Sequence, residues 1–420
     1  MLIEFKVTNF RSFRETQTFS MVAGAFTQHL KTHTFDTKLP EVGRLLRSSA
    51  VYGPNAAGKT NILRILQFMQ GFVLSSTATP PGSSLPYTPF RFSTDSRNAP
   101  SKFEVTFLQN GIRYEYGFSL DEKRIHDEWL IEYINPRGRE LFKREYDNKT
   151  KTHKWKFSTF LKGKRALWSD STRPEELFLS KVILNFNNLQ LLPIFEWFQK
   201  RLVIIVGAAT MNPTLTLNLM EQPNGKSRIL PFIQEADPSI VDFTVSRESI
   251  TPGAAFLPSA SFVHQPAGQQ LPSLVKISLS HRSDDAENSG IDLFEESSGL
   301  QILFRSAGAW LNVFDNAEVL LFDEIDTSLH TLLARYLIGL FNSTKTNKKN
   351  AQLIFTTHNI SLLNQDLFRR DQIWFTEKNY DGLSTLYPLT DFHPRNDKSL
   401  EKDYMLGRYG ALPILKNMGL

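Results

Sequence analysis

"VYGPNAAGKT", residues 51–60, decides how the rest of this 420-residue chain is read. Gly53 and Gly58 bracket four residues and are followed at once by Lys59 and Thr60. This is the full Gly-x-x-x-x-Gly-Lys-Thr pattern of a phosphate-binding loop. Glycines let the backbone curl until successive N–H groups face phosphate oxygens. Lys59 is then expected to reach the β- and γ-phosphates of ATP, and Thr60 to offer its hydroxyl to Mg²⁺. Asn55 inside the loop and Asn61 just after it are further candidate nucleotide contacts. The flanks agree. Residues 48–52 form a short apolar strand entering the loop. Residues 61–69 have helical spacing, and the start of that helix adds its positive end. A chance match in a glycine turn would lack this strand–loop–helix context.

A phosphate loop alone only binds. Hydrolysis also needs a metal partner and a group that orients water. "EVLLFDEID", residues 318–326, supplies both. Val319, Leu320, Leu321 and Phe322 are a continuous apolar run, as a buried parallel strand requires. It ends in Asp323, expected to hold Mg²⁺, and Glu324, expected to orient or deprotonate the attacking water. A second apolar strand follows in "QLIFTTH", residues 352–358, and puts His358 at a strand tip. Taken alone, such a histidine is more often an ordinary surface residue.

Composition narrows the setting. Apolar content of 41% and charged content of 22% are ordinary for a globular protein. No apolar run nears the ~18 residues of a membrane span. The N-terminal "MLIEFKV" alternates like a strand and lacks the apolar core of a signal peptide. With no cysteine, thiol catalysis, disulfides and thiolate metal sites are excluded. A cytoplasmic protein is expected. The net charge of +5 leans only mildly towards an anionic partner.

Four regions are expected. Residues 1–72 carry the first part of the ATPase core, with two strands around a turn at 9–13. Residues 73–172 open with a Ser/Thr/Pro/Gly-rich loop and continue as an antiparallel meander of hairpins. Residues 173–285 form a helical or mixed insertion, with helices over 174–202 and loops around "TPGAAFLPSA" and "HQPAGQQLP". Residues 286–420 return to strong strands and helices and complete the core. No fixed repeat and no sustained heptad pattern is present. The fold class is α/β: a P-loop core with a mixed sheet flanked by helices, an antiparallel meander and a helical insertion.

The order of motifs carries a resemblance. A P-loop comes early, then a long interval, then "FEESSGLQ" at 294–301, "LLFDEIDTSLH" at 320–330 and "IFTTHN" at 354–359. The chain resembles the ABC-type ATPase heads of SMC, RecF, RecN and OLD proteins. That resemblance gives Ser297 and Gly299 the role of a signature element acting on the γ-phosphate held by a second subunit. The pattern departs from Leu-Ser-Gly-Gly-Gln, because Glu296 replaces Leu and Ser298 replaces the first Gly. It gives Asp326 the place of a D-loop residue and His358 that of the switch histidine. "NFRSF" at 9–13 resembles the N-terminal element of the same heads and adds Arg11 to the nucleotide contacts. The Q-loop glutamine is unassigned, Gln67, Gln70 and Gln109 being poor candidates.

Finer motifs ("GPNAAGKTN", "PFRF" at 89–92, "YEYGFSL" at 114–120, "ELFLSKV" at 176–182 and "YMLGRYGALP" at 404–413) resemble one bacterial AAA-family branch related to OLD ATPases. Members such as the PARIS and Septu ATPases accompany a separate effector, often a nuclease, in phage defence or abortive infection. The resemblance thus implies an ATP-binding and ATP-hydrolysing switch working as a homodimer or higher homo-oligomer on such an effector. Two departures limit it. Thr60 and Ser297 are 237 residues apart without heptads, so no long coiled-coil arm is expected. After His358 only 62 residues remain, with scattered acids, so no nuclease is expected within this chain.

Other readings stay open at this level. One is an ATP-held scaffold with little turnover. Another is a RecF-like DNA-repair ATPase. Residues 137–165 hold eleven Lys and Arg against three acids, with aromatics interleaved. They read either as a DNA surface or as a lysine-protected edge hairpin.

Overall fold

The computed structural model describes residues 1–134, 137–207, 211, 213–249, 262–264, 273–283, 289–394 and 399–413. In chain order the strands are β1 (Leu2–Thr8), β2 (Gln17–Ser20), β3 (Thr34–Asp36), β4 (Arg44–Leu46) and β5 (Ser48–Tyr52). Next come β6 (Ser101–Gln109), β7 (Ile112–Leu120), β8 (Ile125–Tyr133), β9 (Arg139–Asp147), β10 (Thr152–Phe157) and β11 (Leu202–Ile205). The remainder are β12 (Ile240–Ser249), β13 (Phe262–His264), β14 (Ser273–His281), β15 (Ser289–Asp292), β16 (Val319–Phe322), β17 (Gln352–Thr357), β18 (Ile373–Lys378) and β19 (Ser384–Pro388).

The core is a six-stranded sheet in the order β11-β16-β17-β5-β18-β19. All its pairings are parallel except β18 with β19 at the edge. Every residue of β5, β16 and β17 is buried, because layers cover both faces of the sheet. Side chains alternate between the layers, as the period of 2 demands. Ala50, Tyr52, Leu320, Phe322, Leu353 and Phe355 enter one core. Val51, Val319, Leu321 and Ile354 enter the other.

The second core lies between this sheet and a seven-stranded antiparallel sheet of order β10-β9-β8-β7-β6-β1-β2. The helix Lys59–Ser75 runs between the two and buries Ile62, Leu63, Ile65, Leu66, Met69, Phe72 and Val73. Its Phe68 stacks on Phe103 with ring centroids 4.6 Å apart, so the helix that leaves the P-loop is clamped by the meander. Two short helices, Phe178–Phe186 and Leu192–Lys200, close the same core.

A smaller antiparallel sheet joins β12, β14, β13 and β15. The helix Ser298–Asn316 supplies Leu300, Leu303, Phe304 and Trp310 to the core that also takes Phe243, Val275, Ile277 and Leu279 of that sheet.

The α/β architecture is the one expected, but pairing crosses two of the expected boundaries, one of them twice. β1 and β2 complete the meander's sheet across 72/73. β11, read as part of the insertion, is an edge strand of the parallel core. β14 pairs with β15 across 285/286. Such pairings join residues far apart in sequence, which local composition does not encode. The expected loop at 251–260 lies outside the described residues, as does most of that at 264–272. Among the described residues no helix is long and apolar enough to cross a membrane.

The basic segment 137–165 forms β9, β10 and the turn that follows, at the free edge of the seven-stranded sheet. Five of its eleven cations are ion-paired: Lys143 with Glu145, Lys154 with Asp147, Lys156 with Glu140, Arg139 with Glu132, and buried Arg144 with Glu128. Three of its aromatics pack inward, while Phe160 is 52% exposed. Phe142 is buried, and Trp155 and Phe157 pack on Phe178. Its place at the free edge of the sheet fits the edge-hairpin reading.

Candidate functional site

The P-loop joins β5 to the helix Lys59–Ser75. Gly53 (φ 156°) and Gly58 (φ 111°) adopt backbone angles that favour glycine. Each is also a point of close approach. A Cβ on Gly53 would run into the Thr376 carbonyl, and one on Gly58 would lie 2.8 Å from the Ser384 hydroxyl. β18, which carries Thr376, and β19, which carries Ser384, thus brace the loop from behind.

A cavity of about 170 Å³ opens on the loop, lined by Asn55, Ala56, Gly58, Lys59, Thr60, Asn61 and Glu324. Lys59 is buried, and its Nζ donates to the Gly53 carbonyl at 2.8 Å and the Pro54 carbonyl at 3.1 Å. Burial lowers the Lys59 pKa, while the carboxylates of Glu324, Asp323 and Asp326 act against that. A buried cation held by backbone carbonyls beside a concavity lined by the phosphate-binding loop is arranged for an anion.

The acidic pair meets the loop across an intervening strand. β17 lies between β16 and β5, so its end falls between Asp323 and the P-loop. The Thr356 hydroxyl donates to Oδ1 of Asp323 at 2.6 Å and accepts the Glu324 amide N–H at 2.7 Å. The Thr60 hydroxyl donates to the same Asp323 oxygen at 3.2 Å. A hydroxyl and a carboxylate side by side beneath a phosphate loop fit Mg²⁺, which takes one or two protein ligands and fills the rest with phosphate oxygens and water. Glu324 sits in the left-handed region at φ 52°. A non-glycine residue there stores about 1–3 kcal/mol unless its surroundings hold it. Here the Thr356 hydroxyl holds its N–H, and Thr327 bonds both its carbonyl and its carboxylate.

Other expected residues take different positions. Asn61 donates to the Ser12 hydroxyl at 2.9 Å, which joins the 9–13 turn to the loop. Arg11 is exposed beside it. His358 does not line the cavity. Its ring, 53% exposed, puts Nε2 3.6 Å from Oδ2 of Asp326. Asp326 is buried, and its Oδ1 has no hydrogen-bond partner. Ser297 and Gly299 also lie off the cavity. Ser297 is exposed and caps the helix Ser298–Asn316, accepting the Leu300 N–H. Gly299 presses on the Asp326 loop: a Cβ on it would come within 2.6 Å of the Ser328 carbonyl. Gln70 is tied to the Phe198 and Leu202 carbonyls.

Sequence reading missed Thr356 and the bracing by Ser12, Thr376 and Ser384. The "TT" before His358 was the available signal for the first. The others come from turns and strands remote from any motif.

A family model described as "AAA domain, putative AbiEii toxin, Type IV TA system" matches residues 48–189 and 229–364. No curated protein matches the chain. Among solved structures, the SMC head domain from Thermotoga maritima is similar at 14% identity, over 92% of this chain and 98% of that one, with a TM-score of 0.39. An Smc head bound to the C-terminal winged-helix domain of ScpA is similar at 12% identity, over 96% and 99%, with a TM-score of 0.43. An Smc head with an extended coiled coil, bound to the C-terminal domain of ScpA and derived from Pyrococcus furiosus, gives 12%, 96%, 98% and 0.39. The two blocks matched by the family model cover well over half of the chain and contain both the P-loop and the Asp323–Glu324 strand end, and the protein belongs to that AAA-domain family.

Proposed function

We propose that this chain is an ATP-hydrolysing switch in which two copies close on ATP and thereby control a separate effector. The observation that carries it is the hydrogen-bonded set Thr60–Asp323–Thr356–Glu324, which unites loop, metal-type ligands and water-directing carboxylate in one cluster. In this reading Gly53, Asn55, Gly58, Lys59, Thr60 and Asn61 surround the triphosphate, with Arg11 beside it. Lys59 exchanges its two carbonyl bonds for phosphate oxygens. Thr60 and Asp323 would hold Mg²⁺, which would neutralise phosphate charge. Glu324 takes the proton of the attacking water, and His358 with Asp326 stands at the seam between copies.

Ser297 and Gly299 are exposed or half-buried at a helix N-terminus, away from their own cavity, and this supports their serving a second copy's nucleotide. Such a site is incomplete in one copy, so nucleotide state and association are linked. The family description refers to a putative AbiEii toxin and a type IV toxin–antitoxin system, which supports a setting with a second component. By the sequence resemblance that effector is a nuclease acting in phage defence.

The test is ATP turnover measured against protein concentration for wild type and Glu324→Gln. Specific activity should rise with concentration and vanish in the variant, which should still bind ATP. Absence of both ATP binding and turnover in the wild type would end this reading.

A further inference from the structure

The P-loop cavity does not end at Asn61. A second pocket of about 320 Å³ shares that residue and is lined by Arg11, Ser12, Thr88, Pro89, Arg91 and Phe92. The Asn61–Ser12 hydrogen bond lies between the two. The pocket's far wall is fixed by ordinary bonds. The Arg11 N–H donates to the Thr88 carbonyl at 2.8 Å, and the Phe90 N–H donates to Oδ1 of Asn9 at 3.0 Å.

Two features of this wall face the pocket. The first is its cations. Among the described residues, the side chains of Arg11 and Arg91 on the wall, and of Arg64 outside the lining, make no ion pair and no hydrogen bond; Arg11 lies over the Phe10 ring at 5.5 Å. Burial lowers the Arg11 pKa, and the charges of Arg64 and Arg91 lower it further, so the three lie close enough to repel. Like charges gathered without a carboxylate are unfavourable until an anion arrives. The second is Phe92, which is 73% exposed and has Lys378 Nζ 5.9 Å from its ring centroid. It is not loose. Phe90 fills the core beneath and meets it edge-on at 5.7 Å. Gly382, at φ 79°, backs the ring so closely that a Cβ would lie 2.7 Å from it. An exposed aromatic, set firmly beside unpaired guanidiniums and next to a phosphate loop, matches a ligand with a flat π face at one end and phosphates at the other.

We infer that this pocket seats the nucleoside end of the triphosphate, with the base stacked on Phe92, Arg91 beside it and Arg11 towards the phosphate chain. The inference rests on the nucleotide reading above and adds Phe92 and Arg91 to it as positioning residues. It also explains why the 9–13 turn is bonded to Asn61. The turn carries Arg11 to the junction of the two pockets.

The test compares two ligands by calorimetric titration in Mg²⁺: ATP, and inorganic tripolyphosphate, which has no base. Phe92→Ala should weaken ATP about tenfold and leave tripolyphosphate unchanged, and Phe92→Trp should restore ATP. Because Phe92 is exposed, folding should be unaffected. Unchanged ATP affinity in Phe92→Ala, or equal loss of both ligands, would overturn the base pocket while leaving the P-loop reading intact. If the wild type binds neither ligand, the nucleotide reading fails and this inference with it.

Discussion

Thr356, near the end of β17, donates its hydroxyl to Oδ1 of Asp323 on the neighbouring strand end at 2.6 Å. The same oxygen atom of Thr356 receives the Glu324 N–H. One side chain thus fixes both the metal-type ligand and the strained backbone of Glu324, the residue proposed to direct water. Thr356→Val keeps the shape and removes the hydroxyl. A hydrogen bond to a charged group is worth about 1.5–3 kcal/mol, so turnover should fall roughly 10- to 100-fold with ATP affinity little changed. Steady-state kinetics alongside ATP titration decide this, and an undiminished kcat would remove Thr356 from the machinery.

If each nucleotide is shared, defects in opposite halves of the site should complement. Lys59→Ala breaks the loop half and Ser297→Arg the signature half. Each variant alone should be inactive. Mixed and allowed to exchange, random pairing of a two-fold dimer leaves one intact site in half of the dimers, or roughly a quarter of wild-type activity. No recovery on mixing, with exchange verified by mass measurement, would argue for sites complete within one copy.

Gly299 touches the Ser328 carbonyl, and Ser328 itself is at φ 61°. Gly299→Ala drives a methyl group into rigid backbone, a misfit of about 1–3 kcal/mol. The Asp326 loop should shift with it. Expected outcomes are a lower melting temperature and weaker ATP-dependent association of the Glu324→Gln background, read by light scattering. Wild-type behaviour on both counts would show that the contact is slack.

Stability should depend on mild acid. His33 is buried and bonds Oε1 of Gln372 through Nδ1 at 2.8 Å. Burial lowers its pKa to about 4. The unfolded chain, with a histidine pKa of about 6.5, binds the proton first as pH falls. Stability from neutral His33 is therefore fully present above pH ~6.5 and is lost on descending towards about 4. Unfolding midpoints in denaturant between these values should drop in the wild type and drop less in His33→Gln. Parallel profiles would assign the acid sensitivity elsewhere.

Much of the site was legible locally. Gly53, Gly58, Lys59 and Thr60 are consecutive in one motif, and Asp323–Glu324 ends an apolar run whose burial on both faces marks a central strand. These features depend on backbone conformation and burial, which short windows encode. The eleven basic residues of 137–165 illustrate the opposite. Their number is a fact of sequence, but their pairing with Glu128, Glu140, Asp147 and others depends on strand neighbours. Patch and edge hairpin are alike until the sheet forms.

The sequence by itself determined that a phosphate loop and an acidic strand end exist, and that the chain is α/β. Only the tertiary structure decided that β17 stands between them, so that Thr356 links the two, and that the 9–13 turn brings Arg11 to a second pocket with Phe92. The reason is the range of the interactions. Periodicity and glycine geometry act over a few residues. Strand order, and every contact between Thr60 and Asp323 or Ser12 and Ser384, is settled by packing segments hundreds of residues apart into two shared cores.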